Sequence, residues 1–190
     1  SGTASSAPPP ARAALLGGSF YIPLPVGERV IIFGGGHIAR ALVPLLDPLN
    51  FRSVVFDDRP EYADAADFPQ AEAVICGDFR NIQDSIEITP EDYVVIMTSG
   101  HLHDLEAEEQ MLRRKTAYIG VIGSRSKIAY VSQRLREAGI PEEAIASVHT
   151  PIGTPIRAVT PEEIAVSIAG ELIYVRACRR DAAADQFSKE

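Results

Sequence analysis

A doubly wound α/β fold, a mostly parallel sheet with helices on both faces, is predicted by three observations. Strand and helix patterns alternate from residue 29 onward with short connections, the signature of parallel strands joined by crossovers. The first apolar strand, 29–33, runs directly into a glycine turn and an amphipathic helix. The run Tyr93-Val94-Val95-Ile96-Met97 shows no polar alternation, as a strand covered on both faces requires. Together these make the architecture Rossmann-like.

Each element follows from its residues. Residues 1–28 are read as a linker or the remnant of an N-terminal region, because the first ten are rich in Pro, Ser and Ala and lack a basic, then apolar, leader. After the strand at 29–33, Ile38, Ala41, Leu42, Leu45 and Leu46 recur at helical spacing, with Pro44 marking a kink or an early end. Strands are expected at 53–56, at 73–76 with Cys76 in the core, at 93–97 and at 117–121. Helices are expected at 104–114 and from Gly123-Ser124 to Gly139, a left-handed cap. A short sixth strand should precede His149. Thr160-Pro161-Glu162-Glu163 combines an N-cap, proline at the first helical position and a capping box. The last helix should run to about residue 178, with Ile164, Ile168, Leu172 and Val175 facing inward, and 181–190 should fray. The folded unit is thus one domain, 29–180.

Bulk properties exclude several function classes. A formal charge of −8, with cations scattered through helices, argues against nucleic acid, whose binders concentrate Lys and Arg on one face. Although 46% of residues are apolar, no uninterrupted run approaches the roughly 18 to 20 residues of a membrane span. Cys76 and Cys178 lie far apart without C-x-x-C spacing, which suits a reducing compartment and gives no structural zinc signature.

The chemistry-bearing residues follow the strands, where ligands of open parallel sheets bind. Gly34, Gly36 and Ala39 make Gly-x-Gly-x-x-Ala: Gly34 for the tight turn, Gly36 for close approach to a pyrophosphate, Ala39 for helix and strand packing. His37 in the turn either contacts phosphate or caps the helix. Asp57 ends the next strand 23 residues on (57 − 34), the place of a ribose-hydroxyl acceptor. Asp58 adjoins it, and Arg59 either accepts a 2′-phosphate or pairs with an acid. After the central strand come Thr98, Ser99, Gly100, His101, His103 and Asp104. Two histidines two apart do not share a helix face as metal ligands would, so His101 is the candidate catalytic acid or oxyanion-binding group. Gly123, Ser124, Arg125 and Lys127 form a second anion site, a helix start with two cations. With His149, all four histidines fall in or beside these segments, which suggests one shared cleft.

In order along 30–177, the segments IIFGGGHIARAL, VVFDDRPEYA, GDF, ITPEDYVVIMTSGHLHD, YIGVIGSRSK, VHTPIG and TPEEIAVSIAGELI resemble the C-terminal Rossmann domain of the XdhC/CoxI family, the xanthine dehydrogenase accessory factors. The resemblance implies a cytoplasmic, homodimeric maturation factor that binds the molybdenum cofactor, a molybdopterin type. It further implies help with the cofactor's sulfuration from a donor such as a cysteine desulfurase, and insertion into a xanthine dehydrogenase-type molybdenum hydroxylase. It casts the protein as a cofactor-binding chaperone rather than a turnover enzyme. Gly34 to His37 and Gly123 to Lys127 would hold the anionic groups of the cofactor. Two positions depart from the family pattern: Ser99 stands where arginine is common, and Arg157 where glycine is frequent, there adding a phosphate contact or filling space. Two alternatives remain open: an NAD(P)-dependent oxidoreductase, with Asp57 on the ribose and His101 as acid and base, and a non-catalytic nucleotide-sensing module.

Overall fold

The computed structural model describes residues 14–16, 18–21 and 27–187. Two short strands, β1 (Ala14–Leu16) and β2 (Ser19–Tyr21), pair antiparallel across Gly18, inside the stretch read as a linker. The main sheet has five parallel strands in the order β5-β4-β3-β6-β7. They are β3 (Glu28–Phe33), β4 (Phe51–Asp57), β5 (Ala73–Cys76), β6 (Tyr93–Ile96) and β7 (Tyr118–Val121). The helices are α1 (His37–Leu46), α2 (His101–Leu112), α3 (Arg125–Glu137), α4 (Glu142–Ala146) and α5 (Pro161–Phe187).

Strand alternation sorts the core into two layers. Val30, Ile32, Val55, Tyr93 and Val95 point to one face, where α1 and α5 bury Leu42, Leu46, Ile168 and Leu172. Ile31, Phe33, Val54, Phe56, Val94 and Ile96 point to the other, covered by α2 and a 3₁₀ segment, Phe79–Asp84. Period-two alternation sends neighbouring side chains to opposite faces, and here both faces are covered, hence the continuous apolar runs. Gln110 locks α2 to the 3₁₀ segment, accepting from the Ile82 N–H at 3.1 Å and donating to the Phe79 carbonyl at 2.6 Å.

Four local expectations change. Pro44 lies inside α1, which continues to Leu46. Cys76 is exposed rather than in the core, because β5 is an edge strand and Cys76 its last residue. The sixth strand is a single parallel bridge between Gly120 and His149. Finally, α5 runs to Phe187 instead of ending near residue 178, since nothing in Asp181-Ala182-Ala183-Ala184-Asp185 breaks a helix. Its start is as expected: the Glu163 N–H donates to Thr160 Oγ1, and Glu163 Oε2 accepts from the Thr160 N–H, each at 3.2 Å. Among the described residues, no helix is long and apolar enough to cross a membrane.

Candidate functional site

Strand register brings the polar strand ends to one edge. Phe33 pairs with Phe56 and Ile96, and Ile96 with Val121, so the chain leaves the sheet at Gly34, Asp57, Met97 and Ile122 side by side. The connection after β3 runs to β4 and the one after β6 runs the opposite way to β7, so the switch point where open sheets bind ligands lies between β3 and β6.

The glycine turn is fixed by contacts that a side chain would destroy. Gly34 has φ +111°, and a Cβ there would lie 2.6 Å from the Met97 carbonyl oxygen. Gly35, absent from the fingerprint, is the most tightly packed: its Cβ would meet the Tyr62 carbonyl oxygen at 1.8 Å. Gly36 has extended backbone (φ −74°, ψ −167°) as the N-cap of α1, and a Cβ there would meet nothing within 4 Å. No side chain caps α1 and no acid sits in its first turn. Helical bonding starts with the Arg40 N–H on Gly36 O at 3.1 Å, which leaves the N–H groups of His37, Ile38 and Ala39 directed outward. His37 is exposed.

Asp57 is placed otherwise than a free ribose acceptor would be. Its carboxylate, 1% exposed, accepts from the Gly35 N–H at 2.9 Å and from the Arg59 N–H, Nε and Nη2 at 3.1, 2.9 and 3.0 Å. Burial pushes this carboxyl up, but the Arg59 and Gly35 hydrogen bonds outweigh it and hold it below the ordinary carboxylate range. The Arg59 guanidinium in turn lies 3.8 Å from the Tyr62 ring centre. Asp57 therefore braces the turn from below, and Asp58, 33% exposed, is the carboxylate open to solvent at this corner.

The end of β6 resembles the start of α1, except that α2 carries Asp104 in its first turn. Gly100 is the N-cap of α2, again with no side-chain cap, and a Cβ there would meet only His103 Cδ2, at 3.9 Å. Two neighbouring helices thus begin on a bare glycine beside the switch point. His101 is exposed and meets the Tyr130 ring edge-on at 6.0 Å. His103 is the held histidine: Nδ1 lies 3.0 Å from Glu106, Nε2 3.4 Å from Asp58, and its ring 4.9 Å from Phe79. His149 is not part of this corner, for it stacks on Tyr118 and pairs with Glu171.

At the third strand end, Ser124 caps α3 and accepts from the Lys127 N–H at 3.4 Å. The Arg125 side chain lies outside the described residues. Lys127 is not a free cation, because its ammonium pairs with the fully buried carboxylate of Asp104. Asp104 also accepts from the Thr98 N–H at 3.2 Å and from the Thr98 hydroxyl, tying the β6 end to both α2 and α3. His101, Leu102, Leu105, Ser126, Lys127 and Tyr130 line an open groove of about 410 Å³ between these helix starts. The burial of Asp104 and the presence of Glu108 beside it escape a sequence reading. The two acids share an i, i+4 stripe with the buried Ala107 and Met111, and that apolar company was the available signal.

Residues 30–172 match the XdhC Rossmann domain, three quarters of the chain. The chain belongs to the XdhC family. Curated relatives include the Escherichia coli (strain K12) uncharacterized protein YqeB, 32% identical over 78% of this chain and 27% of the relative. Another, from Bacillus subtilis (strain 168), is named as a probable xanthine dehydrogenase subunit and is 30% identical over 78% of this chain and 43% of the relative. A crystal structure described as a xanthine dehydrogenase from Bacillus halodurans superposes with a TM-score of 0.71 at 33% identity, over 85% of this chain and 45% of that one. This XdhC domain thus spans less than half the length of the relatives it matches.

Proposed function

We propose that this XdhC domain is the cofactor-binding part of a cytoplasmic accessory factor for a xanthine dehydrogenase-type molybdenum hydroxylase. It holds the molybdenum cofactor, assists its sulfuration and insertion, and acts as a homodimer. The observation that carries the reading is the pair of uncapped helix starts at Gly36 and Gly100, with open space where either Cβ would be. Outward N–H groups and helix dipoles suit an anionic group, and a pterin phosphate or its nucleotide form supplies one. The relatives named as xanthine dehydrogenase components point to the same partner.

In this reading His37 to Ala39 and His101 to His103 donate backbone N–H groups to phosphate oxygens, Asp58 and His103 meet the polar edge of the ligand, and the groove between α2 and α3 shields it from water. The cofactor's redox chemistry serves the hydroxylase that receives it. The domain's own residues bind, orient and release. The test is the mass and absorbance spectrum of material copurifying from cells that make the cofactor, together with activity of a co-expressed hydroxylase. A pterin phosphate bound to wild type and lost in Gly36→Val or Gly100→Val, with hydroxylase activity falling in parallel, is the expected result. Unchanged activity and no pterin would overturn it.

One observation favours NAD(P): the solvent-open Asp58 at the β4 end, where ribose hydroxyls are read. Micromolar NADH or NADPH binding, followed by nicotinamide fluorescence, would favour that reading, and no binding would remove it.

A further inference from the structure

Beneath the groove between α2 and α3 lies a group that the proposed function leaves unused. Glu108 is 5% exposed, with the Asp104 carboxylate and the Lys127 ammonium as its charged neighbours and no side-chain hydrogen bond among the described residues. Buried acids are rare and are ordinarily paired. Glu108 faces a cavity with room for about one water-sized particle. The titratable groups facing that cavity are Asp104 and Glu108 from α2 and Lys127 from α3. The end of β7 adds Val121 and Ile122, the loop before α5 adds Thr150, and the rest of α3 adds no charge. Lys127, 14% exposed, lines both this cavity and the outer groove. Its flexible stem lets one ammonium serve either side.

We propose that Asp104, Glu108 and Lys127 form a proton-coupled latch for an anion of the phosphate class. An anion on the bare α2 start draws Lys127 outward into the groove it shares with His101 and Leu102, and a proton on Glu108, donated in a hydrogen bond to Asp104, replaces the ammonium as partner of that buried carboxylate. Above about pH 7 one cation leaves the cavity as one proton enters, so the net charge there is unchanged and Asp104 keeps a hydrogen-bond partner. The latch rests on reading these helix starts as the anion site.

The sign of the pH effect follows. Burial first, then the Asp104 charge, raise the Glu108 acid to about 7, while Lys127 lowers it. Moving Lys127 away removes the lowering influence, so the acid strengthens its hold on the proton when the anion binds. Binding takes up a proton above about pH 7, and affinity falls as pH rises.

Inorganic pyrophosphate is the probe, titrated calorimetrically into wild type and Glu108→Gln between pH 6.5 and 8.5, with two buffers of different ionisation heat at each pH. The difference between the proteins cancels the probe's own titration. Wild type should lose about tenfold more affinity per pH unit than Glu108→Gln and take up about one more proton at pH 8. Should Glu108→Gln fold poorly, sulfate, which does not titrate in this range, replaces pyrophosphate, and the wild-type proton count then needs no reference protein. Equal slopes and equal proton counts would overturn the latch and leave the cofactor-binding reading intact. Absence of pyrophosphate binding at every pH would also overturn it, while the copurified pterin reports on the function separately.

Discussion

Lys127 of α3 closes an ion pair on Asp104, a carboxylate of α2 with no exposed surface. Because Thr98 donates to the same carboxylate, this pair joins the β6 end, α2 and α3, and it sets the spacing of two helix starts that face the site. Removing one partner strands a buried charge, whereas removing both does not. With protonated Glu108 able to take over part of the contact, Lys127→Met should destabilise the domain by about 1–3 kcal/mol, and Asp104→Asn/Lys127→Met by clearly less than the sum of the single variants. Urea unfolding of the four proteins reads the coupling, and additive losses would show that the pair is not a structural clasp.

Asp57 gives the glycine turn a pH signature. Its folded carboxyl lies below the ordinary value of about 3.9, so its contribution is fully present above about pH 4 and is lost as pH falls through the depressed folded value. Asp57→Asn should cost about 1–3 kcal/mol at pH 7 through the weakened Arg59 and Gly35 bonds. The gap between the two proteins should shrink between pH 4 and 2. A gap that stays constant down to pH 2 would mean that the carboxylate charge does not matter to the turn.

Strand positions, the glycine turn and the α5 capping box were legible because local chemistry dictates each: apolar runs, a missing Cβ, a hydroxyl three residues before a glutamate. The destinations of Cys76, His149, Asp104 and Glu108 were not, because each depends on a partner distant in sequence. An edge strand and a central strand share one apolar pattern over four residues, so Cys76 read as core. The burial of Asp104 and Glu108 turns on Lys127, which a one-dimensional pattern does not bring near. His149 follows a strand-like run as His37 and His101 do, but its side chain turns to Tyr118 and Glu171.

The backbone at Arg157 suits glycine better than arginine. Its φ is +62°, the left-handed region where a Cβ costs roughly 1–2 kcal/mol, and that accounts for the frequent glycine at this place in the family pattern. The exposed side chain forms no hydrogen bond or ion pair among the described residues. Arg157→Gly should raise stability by about 1 kcal/mol in thermal unfolding, after the extra entropy of an unfolded glycine is counted, while Arg157→Ala should gain nothing. Pyrophosphate affinity should not change, and a loss in Arg157→Gly would restore the phosphate-contact reading.

The neighbouring glycines of the turn separate folding from binding. A Cβ on Gly35 would stand 1.8 Å from the Tyr62 backbone oxygen, which cannot swing aside as a side chain could. Gly35→Ala should therefore cost about 3 kcal/mol or more. At Gly36 the backbone is extended and the Cβ direction is open, so Gly36→Ala should cost no more than about 1 kcal/mol, the penalty of an alanine N-cap. Its effect falls on the ligand, since the open space above the α1 N–H groups is where an anion must sit. Pyrophosphate affinity should drop at least tenfold in Gly36→Ala, and Gly36→Val should abolish binding while the circular dichroism spectrum stays native. Full affinity in a folded Gly36→Val protein would move the anion away from the α1 start and leave Gly100 as the remaining cradle.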